Sequence, residues 1–99
     1  MSSNVMTNYG RIDISFDKGI GSYLYTKDGS RYLDFASGIA VTCLGHSHPS
    51  LLAAIKTQSE KLWHVSNLYN IDSQSRLAER LCKNSFAERV FFCNSGAEA

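Results

Sequence analysis

The sequence predicts an α/β chain, and three observations carry that reading. Two β-prone runs flank an Asp-Gly turn, and two later stretches space their apolar residues as helices do. The run Arg89-Val90-Phe91-Phe92-Cys93 then empties through Asn94-Ser95-Gly96 into Ala97-Glu98-Ala99, which reads as a first helical turn. A strand that feeds a helix in this way commonly belongs to a parallel sheet with crossover helices. Ligands in such sheets bind beyond the carboxyl ends of the strands, and residues 94–97 hold that kind of position.

Taken in order, residues 1–18 are polar and irregular, with a short alternation at Ile12-Asp13-Ile14-Ser15-Phe16 that fits an extended arm or an edge strand. Gly19-Ile20-Gly21 is no dinucleotide fingerprint, because no third glycine and no helix follow it. It reads as flexibility at a strand entrance. Ser22-Tyr23-Leu24-Tyr25-Thr26 and Arg31-Tyr32-Leu33-Asp34-Phe35 form a predicted hairpin, with Asp28-Gly29 supplying the tight turn. Residues 36–45 are small and apolar and are expected to make a buried, irregular connection. Pro49 opens a helix through about Trp63, in the first-turn position that proline favours. Leu51, Leu52, Ile55, Leu62 and Trp63 form its apolar face. A second helix is expected from about Asp72 to Cys82, capped by Asp72 or Ser73, with Leu77, Ala78 and Leu81 as its stripe. Residues 89–93 are expected to be a short buried strand.

Bulk properties narrow the function classes. The 99 residues carry a formal net charge of +1 with both signs interspersed. No basic patch points to nucleic acid and no polybasic run points to a membrane surface. No apolar run is long enough to span a bilayer, and residues 1–8 lack the blocks of a secretory signal or transit peptide. Cys43, Cys82 and Cys93 form neither a CxxC pair nor a disulfide framework. They are expected to be reduced, buried thiols in a cytoplasmic protein. His46-Ser47-His48 is too thin a pattern for a metal site and reads as a turn before Pro49, so no metal is expected.

The terminal loop carries the chemistry. The first N–H groups of a helix have no partner within it, and the positive end of its dipole faces the same way. An anion such as a phosphate fits there. Ser95 adds a hydroxyl donor and Gly96 lets the backbone approach without a Cβ. The chain is therefore expected to be the front portion of a larger protein with a phosphate-bearing cofactor at residues 95–97.

A resemblance now enters. Asp28-Gly29, Arg31-Tyr32-Leu33-Asp34-Phe35, Ser37-Gly38-Ile39-Ala40-Val41, Leu44-Gly45-His46, His48-Pro49, and His64 with Ser66-Asn67-Leu68-Tyr69 follow one another in order. Phe91-Phe92 and Asn94-Ser95-Gly96-Ala97-Glu98-Ala99 complete the series. Together, from about Tyr9 to Ala99, they resemble the N-terminal portion of the class III aminotransferases, pyridoxal-phosphate enzymes of fold type I, and most of all the branch acting on acetylornithine. The resemblance implies an arm and hairpin subdomain over residues 1–48. Residues 49–99 would then hold connecting helices, the first strand and the start of the pyridoxal-phosphate-binding large domain. It implies that Ser95, Gly96 and Ala97 bind the phosphate of pyridoxal 5'-phosphate, and that Tyr9 and Arg11 contact substrate, Arg11 by pairing with a carboxylate. The proline that this branch often carries after the arginine is absent, with Ile12-Asp13-Ile14 in its place. Ile39 stands where ornithine aminotransferases resembling this chain carry a tyrosine, and an aliphatic side chain suits an acylated, uncharged substrate tail.

The implied reaction moves an amino group from N-acetylornithine to 2-oxoglutarate, a step of arginine biosynthesis, in a cytoplasmic homodimer with residues 66–69 near the subunit interface. An ornithine or other ω-amino acid aminotransferase is the alternative donor class. A non-catalytic remnant or interaction module is the alternative of another kind. In the family, the lysine that carries the cofactor and its acidic partner lie beyond the Ser-Gly-Ala segment. None of Lys18, Lys27, Lys56, Lys61 and Lys83 matches that lysine, so no catalytic residue is assigned and the 99 residues alone are expected to be inactive.

Overall fold

The computed structural model describes residues 4–99. They divide into two compact units that meet in sequence between Glu60 and Lys61.

The first unit is built on a three-stranded antiparallel sheet in the order β1 (Lys18–Ile20), β2 (Tyr23–Tyr25), β3 (Arg31–Leu33). The Asp-Gly hairpin forms as expected, with Tyr23 opposite Leu33 and Tyr25 opposite Arg31. Its loop is tied by the Asp28 carboxylate, which accepts hydrogen bonds from the Thr26 hydroxyl and, at 3.1 Å, from the Ser30 N–H. These bonds hold the Asp28 carboxyl below its ordinary value. Cross-strand cations cover the tyrosines: the Arg31 guanidinium lies 4.6 Å from the Tyr23 ring centre and the Lys18 ammonium 5.4 Å from that of Tyr25.

β1 corrects the sequence reading. Lys18, expected at the end of the irregular arm, and Gly19 and Ile20, expected in a flexible strand entrance, pair with β2 in full register, Lys18 to Tyr25 and Ile20 to Tyr23. Gly19 is needed there because a Cβ on it would overlap the His46 ring. Residues 12–16 of the arm join no ladder, so of the two readings left open the arm is the one observed.

Past β3 the chain makes a single turn, α1 (Ser37–Ala40), that is left-handed. Ser37, Gly38, Ile39 and Ala40 have φ of 52°, 62°, 63° and 61°. For residues other than glycine this costs on the order of 1–2 kcal/mol each, and for a β-branched isoleucine it is an outlier. The expectation of a buried connection over residues 36–45 is wrong: Ile39 is 91% and Val41 72% exposed.

α2 (Pro49–Ser59) begins as expected at Pro49, and the His48 side chain caps it by accepting the Ser50 N–H at 3.2 Å. It stops at Ser59 rather than Trp63. It is not packed on the sheet of its own unit, so the burial that would hold another turn on its apolar face is lacking.

The second unit contains α3 (Asp72–Lys83). Its N-cap is Ile71, without a side-chain cap, and Asp72 falls in the first turn, where its charge favours the dipole. That corrects the expected Asp72 or Ser73 cap. The Asn84 amide and the Ser85 hydroxyl close the far end on the carbonyls of Arg80 and Leu81, at 2.7 and 2.8 Å. Residues 89–93 are not a strand. Aromatic and β-branched residues favour strands only where a neighbour completes the ladder, and none of the described residues does so.

No described residue is buried. The accessible surface is 9577 Å². The expected burial of the thiols fails with it: Cys43 and Cys93 are exposed and Cys82 is half-buried.

Candidate functional site

In the second unit, residues 95–98 form one tight turn. The Ala99 N–H bonds to the Ser95 carbonyl at 3.3 Å, the spacing of a helical turn. Ser95 and Glu98 make a capping box: the Ser95 Oγ accepts the Glu98 N–H at 3.3 Å, and the Glu98 carboxylate takes the Asn94 N–H at 2.9 Å and the Ser95 hydroxyl at 3.1 Å. That leaves the N–H groups of Gly96 and Ala97, which donate to nothing among the described residues. A Cβ built on Gly96 would meet no atom within 4 Å, so the backbone is open to an approaching anion. The turn therefore fits a phosphate, with two unspent N–H groups and a serine hydroxyl on one short arc. Glu98, which the sequence reading passed over, is the group that a phosphate would relieve of the Ser95 hydroxyl. A cleft of about 390 Å³ in this unit lies elsewhere. Asn67, Gln74, Ala78 and Phe92 are among the residues lining it, and residues 95–97 are not.

In the first unit, Tyr9 and Arg11 sit together on the arm. The Arg11 guanidinium lies 5.5 Å from the Tyr9 ring centre and donates to the Met6 carbonyl at 3.0 Å. Both residues are exposed, so the guanidinium keeps donors for a carboxylate.

Ile39 is carried by the left-handed turn, and the turn is held by a polar knot. The Asp34 carboxylate accepts the N–H groups of Ala36 and Ser37 at 3.1 and 2.9 Å, and its other oxygen meets His46 Nε2 at 2.7 Å. The Asp34 side chain is only 8% exposed. The His46 contact, then the Ser37 N–H, holds its carboxyl below the ordinary value. His46 is fixed in turn by a two-way backbone bridge to Gly21, at 2.7 and 2.9 Å. Inside the loop the Ser37 hydroxyl bonds the Thr42 carbonyl and hydroxyl at 3.1 and 2.8 Å. A cavity of about 160 Å³ opens against this knot, lined by Asp34, Ser37, Thr42, Cys43 and His46 among others. The sequence marks His46-Ser47-His48 only as a turn before Pro49 and gives neither histidine a partner. In the fold they part, His46 to Asp34 and His48 to the α2 cap.

Comparison with solved structures defines the class. The N-acetylornithine aminotransferase of Stenotrophomonas maltophilia K279a superposes with a TM-score of 0.83 at 46% identity, over 92% of this chain and 25% of that one. The ornithine aminotransferase of Toxoplasma gondii, with partial occupancy of PLP at its active site, superposes with a TM-score of 0.89 at 29% identity, over 97% and 22%. The fold is that of the N-terminal portion of a fold type I pyridoxal-phosphate-dependent transferase.

The family is narrower. The class III aminotransferase model matches residues 5–99, and the chain belongs to that family. An acetylornithine aminotransferase of Agrobacterium fabrum is 57% identical over 91 residues, 92% of this chain. The chain spans about a quarter of the length of the curated relatives it matches.

Proposed function

We propose that this chain is the front part of an acetylornithine aminotransferase, which passes the amino group of N-acetylornithine to 2-oxoglutarate in arginine biosynthesis. The observation that carries the reading is the pair of unspent N–H groups at Gly96 and Ala97 beside the Ser95 hydroxyl, in a family of pyridoxal-phosphate enzymes. Those three residues hold the cofactor phosphate. When bound, the cofactor supplies an electron sink for the substrate carbon. What this chain adds is placement: the cradle at residues 95–97 anchors one end of the cofactor, and an anchored end fixes the orientation of the reacting end. Arg11 pairs with a substrate carboxylate, and Tyr9 flanks it. Ile39 presents an aliphatic surface to the acylated tail of the donor.

The identity to acetylornithine aminotransferases in curated relatives, 51–58% over nearly the whole chain, supports the acylated donor over free ornithine. The parent protein is a cytoplasmic homodimer, and the division into an arm and hairpin part (1–48) and a cofactor-binding part (49–99) belongs to this same reading. By itself the 99-residue chain is inactive, because none of its lysines stands in the cofactor-bearing context.

The test uses the full-length protein. Ser95→Ala removes one donor of three and is expected to lower pyridoxal-phosphate affinity roughly tenfold, read as cofactor retained after dialysis. The intact enzyme is expected to turn over N-acetylornithine with a higher kcat/KM than ornithine. Equal retention in the variant would sink the cradle, and a preference for ornithine would move the protein to the alternative donor class.

A further inference from the structure

Ile39 stands on a turn held by groups that have no part in the proposed substrate contacts. Four successive residues in the left-handed region do not persist unless their surroundings impose them, and the structure shows what imposes them. The loop from Asp34 to His46 is closed at its base three times. The Asp34 N–H bonds the Ser22 carbonyl at 2.9 Å, His46 and Gly21 exchange backbone bonds, and the Asp34 carboxylate meets the His46 ring at 2.7 Å. The same carboxylate reaches forward to the Ala36 and Ser37 N–H groups, where the left-handed turn begins. The His46 ring is backed by Gly19, whose missing Cβ leaves the space the ring fills, and the Ser47 hydroxyl bonds the Gly19 carbonyl at 2.9 Å. One carboxylate thus ties a strand end, a ring twelve residues on and the entry to the turn. The tip it holds presents Ile39 almost fully exposed.

We propose that Asp34 and His46 are positioning residues for donor selection. Their contact locks the left-handed turn so that Ile39 meets the uncharged tail of the amino donor, and the lock touches neither donor nor cofactor. This rests on the reading of Ile39 as a donor contact. A locked apolar side chain discriminates by complementarity to the substrate tail. A loosened turn lets Ile39 withdraw and admits a charged tail at less cost.

The experiment compares kcat/KM for an acylated and a free-ammonium diamino donor in the full-length enzyme carrying Ile39→Ala, His46→Ala, His46→Gln or Asp34→Asn. Loss of the lock in His46→Ala is expected to cut the preference for the acylated donor roughly tenfold. The change should lie in KM rather than kcat, with cofactor retention unchanged. His46→Gln, whose amide N–H still reaches a carboxylate, is expected to recover most of the preference. Asp34→Asn keeps an oxygen for the Ala36 and Ser37 N–H groups but loses the charge facing His46, and is expected to fall between. It decides the matter by the same ratio if His46→Ala does not fold. If Ile39→Ala shifts the preference while the His46 and Asp34 variants lower both donors equally, the lock is purely structural and the proposal is overturned, with the Ile39 reading intact. If Ile39→Ala leaves the preference unmoved, the donor contact itself is wrong and the proposal falls with it.

Discussion

At the scale of single residues, the first unit is decided by close approaches that only particular residues permit. Gly45 has φ of 79°, and a Cβ on it would lie 2.8 Å from the Gly21 carbonyl oxygen. That contact sits beside the bridge that carries His46, so an added methyl strains the backbone and pushes the bridge apart together. Gly45→Ala in the full-length protein is expected to cost roughly 1–3 kcal/mol, measured by denaturant unfolding. The same change at Gly29, whose Cβ would meet nothing within 4 Å, would cost only its backbone share. Equal losses at the two positions would show that the Gly21–Gly45 contact carries no weight. The sequence signals such residues unevenly, for a physical reason. The turn at residues 95–98 is marked locally, because Asn94, Ser95 and Gly96 in succession break an extended run. Asp34 and His46 lie twelve residues apart with no periodicity between them, so nothing local announces their contact. Gly38 signals a positive φ, but its neighbours Ser37, Ile39 and Ala40 adopt one too, and their side chains argue against it.

At the scale of elements, local signals succeeded where the element is self-sufficient. The β2–β3 hairpin closes on its own loop bonds, and α2 opens on Pro49 with a cap two residues from its donor, so both were readable. β1 was missed because Gly19 weakens the strand pattern, and the reason for that glycine, the His46 ring, comes from another part of the chain. Residues 89–93 were overread because their strand character needs a neighbour that the described residues do not supply. The turn after β3 also carries a pH signature. Asp34 is held below the ordinary 3.8 by His46 and by the Ser37 N–H. A carboxyl lowered on folding contributes stability that is complete above its unfolded value and drains away as pH falls through the folded one. The stability gap between the wild-type protein and Asp34→Asn is therefore expected to be level at neutral pH and to narrow as pH falls below 3.8. Denaturant melts of the two proteins along a pH series measure it. A gap that stays constant into strong acid would mean that Asp34 gains nothing from its charge.

At the scale of the whole molecule, the surface is the informative quantity. Leu51, Leu52 and Ile55 on α2 and Leu77 and Leu81 on α3 are between 43% and 67% exposed, and Trp63, Leu68 and Phe86 are exposed almost entirely. Apolar stripes at helical spacing form in order to be covered, and here nothing within each unit covers them. The relatives are about four times as long as the matched segment, and under the proposed function the remainder of such a chain is what covers these faces. A soluble monomer rarely presents contiguous apolar area of this extent without associating. The isolated 99-residue polypeptide is accordingly expected to bind a hydrophobic dye strongly, to self-associate at micromolar concentration, and to unfold without a sharp cooperative transition. Mixed with pyridoxal phosphate and reduced, it is expected to show no stoichiometric adduct at any one lysine by mass spectrometry. Scattered, substoichiometric labelling of the exposed lysines is the pattern that solvated amines produce. A sharp, concentration-independent melt would show that the two units bury their faces without further chain. A single labelled lysine at full occupancy would show that the segment carries its own reactive amine.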